Sequence, residues 1–180
     1  MKVAQQLKEK NIAEYLIYMW QVEDLLRANG CDLETLRNRV VNRYPEEERQ
    51  ALETWYSQLI EMMRTEGVTE QGHLQINRNV IINLQDLHAT LLASSRFPFY
   101  HAAYFKMLPY LVELRQRNGK KEESELETCF EAVYGVLLLR LQQKPISEGT
   151  AQAMQAITAF LSLLANYYEK EKKGELKLEE

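Results

Sequence analysis

Glycine and proline are scarce in this 180-residue chain, at seven and four residues. A turn-dense all-β fold needs both at its many reversals, so that class is excluded. A basic excess is lacking too: 22 Lys and Arg against 26 Asp and Glu leave a formal charge of −4. Bulk charge therefore gives no hold on nucleic acid, and that class of partner is not expected. Cysteine is limited to Cys31 and Cys129, too few and too far apart for a disulfide framework. Both are expected as reduced, packed thiols, which places the chain in the cytoplasm. No secretory leader is read, because Lys2, Lys8, Glu9, Lys10 and Glu14 interrupt the opening segment.

Reactive motifs are equally thin. The glycines stand singly, in no phosphate-cradling loop, and no serine occupies a G-x-S-x-G elbow. Neither cysteine has a sequence-local partner that would lower its pKa. A di-iron bundle needs paired Glu-x-x-His units. Only Glu70-Gln71-Gly72-His73 has the spacing, and it straddles a glycine in an expected loop. No metal and no cofactor is expected.

What the chain does have is helical period almost everywhere, and enough apolar residues, 46%, to fill a core. Seven helices are predicted. The first carries Ile12, Leu16, Met19 and Leu26 on one stripe and stops at Asn29-Gly30. Asp32 caps a short second helix with Leu33, Leu36 and Val40. Pro45 opens a third that buries Leu52, Trp55 or Tyr56, Leu59 and Met63. The fourth presents Ile76 or Val80, Ile81, Leu84, Leu87, His88 and Leu91, and breaks at Arg96 to Phe99. The fifth starts near His101 and is kinked or ended by Pro109. A charged loop is expected over Arg115 to Glu123. Ser124 and Glu127 form a capping box for the sixth helix, and Ser147 caps the seventh, Thr150 to Glu169. The expectation is all-α: one helical domain over residues 1–169, a bundle of about six to seven helices, and a charged, frayed tail over 170–180.

Within this frame a few residues invite chemistry. His88 shares an apolar stripe, which predicts a buried neutral histidine bonded to a carbonyl or a tyrosine; a pocket acid, base or ligand contact is the sharper reading. Six of the 17 aromatics, Phe97, Phe99, Tyr100, Tyr104, Phe105 and Tyr110, crowd around two prolines. They read as a wedge between helices or as an aromatic-lined pocket with Arg96 and His101 as polar tips. In the first helix Glu14, Gln21 and Asp24 form a thin wettable strip, with Glu23 and Arg27 as an ordinary i, i+4 pair. The alternative is a polar seam with Tyr18 and Arg27 facing a pocket. Tyr18, Arg27, His88, Arg96, His101 and Tyr104 are thus the candidate pocket residues. Arg37, Arg39 and Arg43 are read as a solvated face blunted by Glu46 to Glu48.

The segment Glu14-Tyr15-Leu16-Ile17-Tyr18-Met19-Trp20-Gln21-Val22-Glu23-Asp24-Leu25 resembles the opening of an uncharacterised family of small helical bacterial proteins, a domain of unknown function. Gly72-His73-Leu74-Gln75, Cys129-Phe130-Glu131 and Tyr134-Gly135 extend the likeness over most of the chain. The resemblance implies a helical fold and a bacterial cytoplasmic setting. It brings no activity, cofactor or functional residue with it.

The seventh helix has no charge over Ala151 to Tyr168. Its amides make a membrane span a poor reading, and no membrane association is expected. Met154, Ile157, Leu161, Leu164 and Tyr168 form a core stripe, while alanines allow close approach. Gln155, Thr158 and Ser162 are candidate interface residues, in a homodimer built by the sixth and seventh helices. Two functions follow: a non-catalytic helical protein working through protein contacts, or a small-molecule-binding protein or enzyme with a pocket between the first, fourth and fifth helices.

Overall fold

The computed structural model describes residues 2–118 and 123–176. Among them are eight α-helices and no strand, one helix more than the six to seven expected. The chain divides into two compact units, Met1–Lys10 with Glu14–Val80 and Asn11–Ala13 with Ile81–Glu180.

The extra helix comes from a break near the start. Helix α1 covers Lys2–Lys10 and α2 covers Ile12–Ala28. Between them the Asn11 side-chain oxygen accepts the Ala13 N–H at 3.1 Å, the bond an N-cap makes. Helix α2 ends as predicted. Gly30 takes φ 67° and Cys31 φ 49°, and the Cys31 N–H donates back to the Leu26 carbonyl at 2.8 Å, closing a left-handed stop.

In the first unit, α3 (Leu33–Arg39) is capped by Asp32, whose carboxylate accepts the Thr35 N–H at 2.7 Å. A 3-10 turn over Val41–Arg43 leads to α4 (Glu46–Thr65). Pro45 stands at the cap rather than at the first helical position, and three glutamates fill the first turn, complementing the helix dipole. Helix α4 buries Leu52, Tyr56, Leu59, Ile60 and Met63; of the two aromatics, Tyr56 goes inward.

Helix α5 (Gln75–Ala93) spans the division between the units. It buries Val80, Ile81, Leu84, Leu87 and Leu91, and leaves Ile76 exposed. In the second unit, α6 (Pro98–Asn118), α7 (Glu125–Leu141) and α8 (Glu148–Lys172) pack pairwise. Helix α6 starts at Pro98, three residues before His101, since proline suits a first helical position. It also continues through Pro109. The carbonyl that Pro109 cannot satisfy belongs to Phe105, and both residues are exposed, so water can take the missing donor's place.

The expected charged loop begins later than predicted: Arg115 to Asn118 are helical, and residues 119–122 lie outside the described residues. The capping box at Ser124 forms as expected, with Glu127 N–H on Ser124 Oγ and Ser124 N–H on Glu127 Oε2. Ser147 caps α8 by accepting the Thr150 N–H at 3.1 Å. Helix α8 then runs to Lys172, into the segment read as tail, of which 177–180 lie outside the described residues. No helix among the described residues is long and apolar enough to cross a membrane.

Candidate functional site

Two polar clusters sit among buried side chains, one in each unit. The first is built on α2. Glu23 is 1% exposed, and a buried carboxyl is costly unless its oxygens are satisfied. Here they are. Oε1 accepts the Leu74 N–H at 2.9 Å and Asn77 Nδ2 at 2.7 Å, and Oε2 lies 2.6 Å from His73 Nδ1. The His73 ring stacks on Trp20, with centroids 4.1 Å apart and planes 12° from parallel. Leu74 and Asn77 form the entry to α5, so one side chain of α2 fixes where that helix starts.

Arg27 braces the same loop one turn further along α2. Its Nε and Nη2 donate to the Val68 carbonyl at 3.3 and 3.1 Å, and Nη2 also to the Gly72 carbonyl. Gly72 adopts φ 86°, a left-handed conformation that glycine accepts without strain. The expected Glu23–Arg27 pair does not form. Arg27 pairs instead with Asp24 at 2.9 Å, because Glu23 turns inward to the loop. With every Glu23 oxygen engaged, this cluster is a structural brace. His73, weighed with Glu70 as half of a metal motif, bonds to Glu23. No group of three or more His, Cys, Asp or Glu among the described residues is arranged to hold a metal ion.

The second cluster centres on His88 of α5, whose side chain is 12% exposed. Its Nδ1 lies 2.6 Å from the Tyr100 hydroxyl and its Nε2 lies 3.8 Å from Glu125 Oε2. The same Glu125 oxygen accepts the Tyr104 hydroxyl at 3.0 Å. Burial pushes the His88 pKa down, against the opposing pull of Glu125. Burial also raises Tyr100 strongly and Tyr104 to about 12, so both phenols keep their protons. A neutral His88 facing a carboxylate through Nε2–H accepts from Tyr100 at Nδ1, which fixes the tautomer. The rings of Tyr100, Tyr104 and Phe160 pack around the imidazole with centroids 5.8, 5.2 and 5.6 Å away. His88 therefore has the surroundings of the core reading, bonded to a tyrosine.

Of the six candidate pocket residues, Tyr18 and Arg27 belong to the first unit and His88, Arg96, His101 and Tyr104 to the second. The structure joins His88 to Tyr104. His101 is spent on the helix break, its Nε2 3.0 Å from the Leu91 carbonyl. Arg96 lies in that break, its backbone N–H on Ser94 Oγ. Burial raises the Tyr18 pKa, with Tyr44 adding to it. Sequence reasoning missed Glu125; its one signal is its place in the first turn of α7, beside the capping box. Arg115, the first residue of the expected charged loop, holds Thr128 Oγ1 at 3.3 Å and the Glu123 carbonyl. Cys129, fully buried, has its thiol pushed up to about 12 by burial, a packed and unreactive state. An open groove of about 380 Å³ on the second unit, lined by Asn83, Asp86, Thr90, Tyr168 and Glu171 among others, holds none of the candidate residues.

Of the candidate interface residues, Gln155, Thr158 and Ser162 are all exposed on α8, and Thr158 Oγ1 donates to the Met154 carbonyl at 2.6 Å. The opposite side of α8 buries Ala153, Ala156 and Ala165 beside Met154, Ile157, Phe160, Leu161 and Leu164.

These features define an all-helical protein whose buried polar groups hold its own loops and helix ends in place. The chain matches the family model Domain of unknown function (DUF4924) over residues 1–175, and it belongs to that family. No curated protein and no solved structure matches it.

Proposed function

We propose that this chain is a non-catalytic helical protein that works through protein contacts and assembles with copies of itself in the bacterial cytoplasm. The observation that carries this reading is large apolar surface left in water on a folded helix. On α6, Phe99 is 80% exposed, Phe105 62% and Val112 47%. Phe105 and Val112, seven residues apart, share one face of α6 with the exposed Ala102 and Pro109, and a continuous apolar face is characteristic of interaction surfaces. Helices α7 and α8 add Leu141, 67% exposed, and the uncharged exposed residues Gln155, Thr158 and Ser162. The two thiols, both free and buried, fit a reducing compartment.

Light scattering of the full chain tests the reading. The expected mass is a multiple of the 21.2 kDa chain. A monomer at high micromolar concentration would overturn it.

The runner-up is a ligand or proton-transfer site at His88, Tyr104 and Glu125. One observation favours it: Glu125 is 33% exposed on its side chain, so solvent reaches the carboxylate beside the histidine. Against it, three aromatic rings occupy the space around the imidazole that a ligand would take. Titrating the His88 NMR signals against a library of small polar metabolites separates the two, since a binder moves those signals and a packed core does not.

A further inference from the structure

The exposed residues of α6 form one continuous face. Ala102, Phe105, Lys106, Pro109, Val112 and Glu113 are all exposed, and spacings of three, four and seven keep them on one side of a helix. Small Ala102 and the flat Pro109 ring run along the middle. Phe105 and Val112, two turns apart, form one edge. Lys106 and Glu113, also two turns apart, form the other.

That arrangement is complementary to itself in one orientation. A two-fold axis perpendicular to the helix reverses its direction but keeps each edge on its own side. Set between Pro109 and Tyr110, it brings Lys106 of each copy level with Glu113 of the other. The same operation sets Phe105 beside Val112 across the interface. A parallel pair would instead lay each charged edge against the partner's apolar edge. Ala102 and Pro109 along the centre allow the close approach, about 8–10 Å between axes, that packed helices adopt. Glu113 is shared with Arg117 in its own helix at 2.5 Å, but both side chains are more than half exposed, so that pair competes only weakly.

We infer that the occupant of this face is α6 of a second copy, packed antiparallel with its register set by reciprocal Lys106–Glu113 pairs. The inference rests on the self-association proposed above and assigns it to α6, with the α8 residues Gln155 and Ser162 outside the contact.

The test uses the full chain and its self-association constant from sedimentation, with circular dichroism confirming unchanged helicity. Lys106→Glu and Glu113→Lys each place two like-charge pairs across the axis, and each is expected to weaken self-association about tenfold. Mixing the two variants restores both pairs in a heterodimer, and association is expected to return to the wild-type level. If the single variants associate as tightly as wild type, or the mixture fails to recover, the α6 register is wrong. If Gln155→Glu with Ser162→Glu dissociates the assembly instead, the contact lies on α8 and self-association stands. A wild-type chain that is monomeric throughout overturns both.

Discussion

The two buried clusters solve the same problem, a polar group in an apolar setting, in different ways. Glu23 engages partners some fifty positions away in sequence, on the loop and helix start at His73, Leu74 and Asn77. His88 engages Tyr100, twelve positions on, faces Glu125 at 3.8 Å, and is otherwise enclosed by rings. The difference shows in what fails when each is removed. Without Glu23, a backbone N–H, a side-chain amide and an imidazole lose their acceptor together. Without His88, one phenol loses a partner and a ring-sized space opens.

The largest expected effect is therefore at Glu23. Glu23→Ala should destabilise the fold by about 3–5 kcal/mol in chemical denaturation, the scale seen when one partner of a buried polar network is removed. Glu23→Gln retains an acceptor oxygen and should cost clearly less. Equal costs would mean that packing, not hydrogen bonding, holds the α5 entry.

Next comes His88. His88→Ala should cost about 1–3 kcal/mol through lost packing and an unpaired Tyr100 hydroxyl. A cost near zero would show that the ring is not part of the core and would favour the ligand-site reading.

A smaller effect follows from protonation of the same ring. Its folded pKa lies below the ordinary histidine value, so the unfolded chain binds the proton first as pH falls. The stability His88 contributes is complete above the unfolded value near 6.5 and is lost as pH drops through it toward the folded value. Thermal unfolding at pH 8 and pH 5 should show a larger loss in wild type than in His88→Gln. Equal losses would place the acid sensitivity elsewhere.

The smallest effect is expected on the surface. Phe105→Ser should change the stability of the isolated chain by no more than about 0.5 kcal/mol while weakening its self-association. A large destabilisation would mean that Phe105 packs within the fold.

These differences also separate what was legible in the sequence from what was not. Helix periods, the Gly30 stop, the Asp32 and Ser147 caps and the Ser124 capping box depend on neighbours within four residues, and all appear in the structure. The inward turn of His88 was legible for the same reason, since its stripe is local. Glu23 was not. Its partner in the sequence reading, Arg27, stood at helical spacing, whereas its actual partners lie across a loop whose path no local pattern encodes. Whether α6 would kink or end at Pro109 stayed open in the sequence, because the cost of proline depends on whether the orphaned carbonyl meets water, a matter of exposure. Glu125 went unnoticed because a glutamate in a first helical turn is already accounted for by the helix dipole.

Oxidative cross-linking tests self-association through α6 most directly. A cysteine placed beside the two-fold axis meets its own copy there, within the span a disulfide bridges. The native Cys31 and Cys129 are buried and stay out of the reaction. Pro109→Cys should convert to a covalent dimer under mild oxidation while Ser162→Cys stays monomeric. Cross-linking at Ser162→Cys with none at Pro109→Cys would contradict the account.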